Sequence, residues 1–273
     1  MPAILVARLQ EQTRGLLDAF DQPDRFLKLA RDVFEYYSDH VYRAGQAFES
    51  QALLDSYHVP APLIPTMTQF LMLRIAAEPD LALRIVDSLW ADKKAETKLL
   101  AITILGKISV SYSREIMIRA NRWIEDPIEY AILEKLSETG LQNLLDRQPE
   151  VYLDLMESWI GSDRFPAQRA GFHGLVLLLK QSDFDNLPRL FKLLQSRILT
   201  VNAEIGPELV MVLQTLGKKS AVETSQLFQQ VLSLPGNAVS RSIVREASSV
   251  LPPDMQNQIK SLLRTSKRTG KET

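Results

Sequence analysis

The residues best placed to do chemistry are two aromatic–carboxylate pairs and one arginine. Tyr130 and Glu134 stand four apart, so a helix would put both side chains on one face. Trp123 and Asp126 stand three apart and would share a face in the same way. Either pair could present a ring and a carboxylate together. Both also have plain structural readings. A tyrosine with a solvated glutamate is an ordinary helix surface, and Asp126-Pro127 reads as an N-cap followed by proline at the first helical position. Arg169 opens an apolar helical run after a loop, where it could meet a phosphate or simply cap the surface.

Other chemistries find no residues to carry them. The chain has no cysteine, which removes disulfides, thiolate zinc sites, iron–sulfur ligation and cysteine nucleophiles. His40, His58 and His173 are far apart and show no metal-ligand spacing, so neither a metal nor another cofactor is expected. There is no Gly-rich phosphate loop, no Gly-x-Ser-x-Gly elbow and no Rossmann fingerprint. Gly171-Phe-His-Gly174 matches a nucleic-acid-binding loop pattern, but it lies inside an apolar run, where close helix packing explains it better.

The elements that must position these residues are helices. Glycine is scarce, at 11 of 273 residues, and no Asn-Gly or Asp-Gly turn separates alternating apolar residues. Apolar residues recur instead at helical spacing. In 97–108 they cover most of a helix circumference, which predicts a largely buried helix. In 151–160, Val151, Leu155, Met156 and Trp159 form one stripe; in 187–198, Leu187, Leu190, Leu194 and Ile198 form another. Trp159, on such a stripe, and Trp90 are read as core. Breaks fall about every 12–20 residues and carry turn or cap chemistry. Examples are Pro23, Pro79 and Pro149 near first helical turns, Gly161-Ser162-Asp163, and Pro235-Gly236-Asn237. The expected fold is therefore all-α. One-sided helices with short connections suit an α-solenoid of irregular HEAT-like repeats, in a single curved domain over 1–263 with a basic, disordered tail at 264–273.

One stretch carries a family resemblance. Pro149-Glu150 opens a segment that ends in Trp159-Ile-Gly-Ser162-Asp163 and is followed by Gln168-Arg169-Ala170. This pattern, with Leu89-Trp90, Glu96 and the segment from Tyr57 to Pro62 upstream, resembles the AlkD-like DNA glycosylases of alkylation repair. The resemblance implies a HEAT-like cradle for duplex DNA and hydrolysis of the glycosidic bond of alkylated purines. It implies tryptophans against the deoxyribose, an aspartate beside the developing positive charge, and an arginine on the phosphate. A cationic leaving base needs little acid help, so a carboxylate beside the sugar is the main requirement. Arg169 matches the arginine. The aromatic and acid fall on Tyr130 and Glu134 without a gap, or on Trp123 and Asp126 with one. The second tryptophan would fall near 207–211, where the chain has no aromatic.

Charge adds a weaker signal. Lys and Arg number 32 and Asp and Glu 33, which excludes a histone-like protein. From residue 214 onward, nine basic residues face four acidic ones, a local surplus that could meet phosphates. No apolar run approaches the ~20 residues of a membrane helix, and the N-terminal stretch lacks a basic n-region and a cleavage site. The expectation is a cytoplasmic, monomeric protein whose partner is duplex DNA, with weak or absent excision chemistry. A non-catalytic solenoid holding a protein partner in its groove is the alternative.

Overall fold

The computed structural model describes residues 6–38, 54–234 and 238–269, with side chains as far as Arg264. The Pro235-Gly236-Asn237 turn and His40 lie outside the described residues. Among those described, every regular element is helical, and the nearest approach to a strand is an isolated bridge between Asp55 and Lys94. No helix is long and apolar enough to cross a membrane. The chain divides into two compact units, 1–152 and 153–273.

The first unit holds α1 (Val6–Asp18), α2 (Pro23–Tyr36), α3 (Leu63–Ala77), α4 (Pro79–Ala91), α5 (Ala95–Leu105), α6 (Ser113–Trp123), α7 (Tyr130–Lys135) and α8 (Gln142–Arg147). Helix α9 (Pro149–Ile160) runs across the division. Second neighbours pack together: α1 on α3, α3 on α5, and α5 on α7 in one row, with α2 on α4 in another. Helices α4 and α5 join the rows. This follows from the sequence pattern, because a helix with one apolar stripe buries it against the next pair.

The second unit repeats the scheme. Helices α10 (Phe165–Lys180), α12 (Gly206–Lys219) and α14 (Ala238–Ala247) form one row. Helices α11 (Leu187–Thr200), α13 (Ala221–Ser233) and α15 (Pro253–Thr269) form the other. Prolines sit in the first turns of α2, α4, α10, α11 and α12, where a missing N–H costs nothing. Helix α15 continues to Thr269, past the expected start of the tail, because nothing between Arg264 and Thr269 breaks a helix.

Two glycines allow helices to meet closely. A Cβ on Gly106, which caps α5, would lie 2.0 Å from the Thr139 carbonyl oxygen in the π-turn Leu136–Gly140. A Cβ on Gly171 of α10 would lie 2.7 Å from Ile160 Cγ1. The Gly171-Phe-His-Gly174 run is thus a packing device inside α10, as its apolar surroundings indicated.

Candidate nucleic-acid interface

Helix α5 is the unusual element of the first unit. Its buried residues include Glu96, Thr97 and Lys98 beside the expected aliphatic ones. Lys98 points under α4: its ammonium donates to the Trp90 carbonyl at 2.5 Å and lies 4.5 Å from the Trp90 ring. Burial lowers the Lys98 pKa, and the facing carboxylates of Asp126, Asp92 and Glu129 oppose that shift. Asp92 is buried and held by Arg31 through hydrogen bonds of 3.0 and 2.6 Å. Glu129 accepts from the Leu54 N–H at 2.8 Å, while its second oxygen is buried and has no hydrogen-bond partner among the described residues. Glu96 accepts from the Ser56 hydroxyl and the His58 N–H, at 2.7 and 2.9 Å. Thus Glu96 and Glu129 fasten the segment before α3, and His58 in that segment takes a φ of 53°, uncommon for a residue with a Cβ.

The structure places two of the sequence-derived candidates, Trp123 and Asp126, beside this cluster. Trp123 is fully buried and stacks flat on Trp90, with ring centroids 4.1 Å apart and planes 5° from parallel. Its indole face is therefore occupied by Trp90. Asp126 is half-buried and accepts from Trp90 Nε1 at 2.6 Å. It does not cap a helix: α7 begins at Tyr130 with Glu129 as the preceding residue, and Asp126 lies in the bend after α6, where its carbonyl accepts from the Ile128 N–H at 3.0 Å. Tyr130 and Glu134 are both half-buried, one turn apart on α7. Trp90 and Trp159 are core residues, as their stripes predicted.

In the second unit, Arg169 meets an acid. Its Nε donates to Glu208 of α12 at 2.5 Å, and its guanidinium lies 5.5 Å from the Phe165 ring centroid. The Glu208 side chain is 11% exposed and that of Arg169 33%. Glu208 stands in the 207–211 stretch where the resemblance implied a tryptophan. A carboxylate therefore sits on the arginine where a phosphate oxygen was expected, and the ion pair is only partly solvated. Other arginines are similarly engaged. Arg119 and Arg122 share Asp87 at 2.6 Å each, and Arg189 joins Asp154 and Glu157.

Sequence reasoning passed over Lys98, Asp92, Glu129 and Glu208. Lys98 did leave a signal: a lysine in a helix whose apolar residues cover most of the circumference has no wet face to occupy. The others look like surface acids until their distant partners are known.

The fold and these sites define an all-α protein of stacked helix pairs, with a buried polar cluster beside a tryptophan pair in the first unit and an acid-bound arginine in the second. A family model described as DNA alkylation repair enzyme matches residues 64–250, and the chain belongs to that family. None of the curated proteins matches the sequence. The family ties the chain to DNA-repair-related function.

Proposed function

We propose that this protein binds duplex DNA as a HEAT-like member of the alkylation-repair family and excises alkylated purines weakly or not at all. The observation that carries the reading is the engagement of the aligned residues by other protein groups. Trp123 faces Trp90, Asp126 accepts from that same indole, and Arg169 is bound by Glu208. A carboxylate contributes to glycosidic hydrolysis only if it sits beside the sugar, and a misplacement of ~1 Å can cost on the order of 100-fold in rate. The gap-free alternative offers Glu134, whose extra methylene carries its carboxylate to a different point from an aspartate's. With no aromatic at 207–211, one wall for the deoxyribose is missing as well.

The test is release of 3-methyladenine or 7-methylguanine from methylated duplex DNA, run beside a salt titration of binding. Wild type is expected to bind the duplex and release little base. Robust excision overturns the weak-activity reading, and comparison of Glu134→Gln with Asp126→Asn then identifies the carboxylate. Absence of binding at ~50 mM salt, where counterion competition is low, overturns the DNA reading and leaves the protein-scaffold alternative.

A further inference from the structure

Helices α14 and α15 border an open pocket of about 390 Å³, lined among the described residues by Ala238, Arg241, Arg245, Lys260, Leu263 and Arg264. Four of these six residues are cationic and none is acidic. The cations come in pairs one helical turn apart, Arg241 with Arg245 on α14 and Lys260 with Arg264 on α15. Residues four apart share a helix face, so each helix turns two like charges toward the same space. Like charges at that spacing destabilise a helix by about 0.2–0.5 kcal/mol per pair. Helix stability therefore gives no reason for the pattern.

Three of the cavity's cations differ from the arginines that are held by acids elsewhere in the molecule. Arg31, Arg74, Arg119, Arg122, Arg169 and Arg189 all sit on carboxylates. Among the described residues, no ion pair is made by Arg245, Lys260 or Arg264, and all three are exposed. Ala238 and Leu263 add apolar surface beside them and no hydrogen-bonding specificity. Three exposed cations without a fixed acid, beside groups that read no particular ligand, suit a repeating anion recognised by charge alone.

We infer that this cavity is a phosphate-anchoring site for the nucleic-acid backbone, taking phosphodiester groups through Arg245, Lys260 and Arg264 with Arg241 behind them. It rests on the DNA-binding reading and assigns the main electrostatic contact to α14 and α15. Arg169, already bound by Glu208, is left a minor one.

The experiment measures binding of a fluorescently labelled, unmodified duplex by anisotropy from ~50 to ~200 mM salt. The proteins are wild type, the triple variant Arg245→Gln, Lys260→Gln, Arg264→Gln, and a charge-matched control, Arg25→Gln, Lys28→Gln, Arg114→Gln. Each lost phosphate contact lowers the slope of log K against log salt by about 0.9, so the triple variant is expected to lose about 2–3 units of slope. The control should keep the wild-type slope, and circular dichroism should be the same for all three. Binding by wild type with an unchanged slope in the triple variant overturns the cavity assignment and leaves the DNA reading standing. Equal losses in variant and control also overturn it, because net charge then suffices. No binding by wild type overturns both. Inorganic pyrophosphate, titrated at constant ionic strength, separates a backbone track from a small-anion pocket: displacement of the duplex beyond the salt effect overturns the phosphodiester assignment.

Discussion

Asp92 shows how one buried carboxylate can be kept charged. Burial alone would push its pKa up, but the Arg31 guanidinium and the Lys93 N–H bring it below the usual carboxylate range. An unfolded aspartate titrates near ~3.9. A folded pKa below that contributes stability that is present above about pH 4 and is lost as pH falls through the folded value. Melting of wild type against Asp92→Asn should therefore show a constant difference above ~pH 5 that shrinks below ~pH 4. A difference independent of pH would mean that the ionic form contributes nothing. Glu208 makes the opposite kind of prediction. On the proposed reading its carboxylate competes with phosphate for Arg169, so Glu208→Gln should tighten duplex binding and steepen the salt slope by about one contact, ~0.9. Arg169→Gln in the same background should reverse the gain. If Glu208→Gln leaves affinity unchanged, Arg169 does not face the duplex.

At the scale of elements, the two close approaches should respond differently to the same small change. Gly106→Ala drives a methyl into the Thr139 carbonyl, a backbone atom that can yield only if the π-turn shifts. Overpacking commonly costs ~1–3 kcal/mol, and a backbone clash belongs at or above the upper end. At Gly171 the nearest atom is a side-chain carbon of Ile160, although the Ile160 nitrogen and the Met156 oxygen follow at 3.0 Å. Gly171→Ala should cost about 1–2 kcal/mol within the same range. Urea denaturation of both variants checks the order, and a milder effect at Gly106 would show that the π-turn is easily displaced.

For the whole molecule, a formal net charge of −1 means that no global field draws the chain to DNA. On the proposed DNA-binding reading, affinity comes from local cations and should fall steeply with salt. With about three phosphates neutralised at ~0.9 each, raising salt from ~50 to ~200 mM should weaken binding roughly 40-fold. Anisotropy titrations at the two concentrations read this directly. A loss of less than about 3-fold, under one contact's worth, would argue against a backbone-binding mode.

The sequence by itself determined the class of the fold. Apolar spacing depends on residues a few positions apart, and so do the prolines at helix starts and the buried circumference of α5. Such local patterns survive whatever the helices later pack against. The family was legible for the same reason, since Pro149 to Ala170 spans one helix and the start of the next. What only the tertiary structure decided is which polar residues face one another. Lys98 donates to the Trp90 carbonyl, Trp90 covers Trp123, and Glu208 reaches Arg169 from 39 positions away. Those pairings depend on how successive helices stack, and no short-range spacing encodes the stacking offset. Hence the sequence could nominate Trp123, Asp126 and Arg169, but only the packed helices showed that each already has a partner.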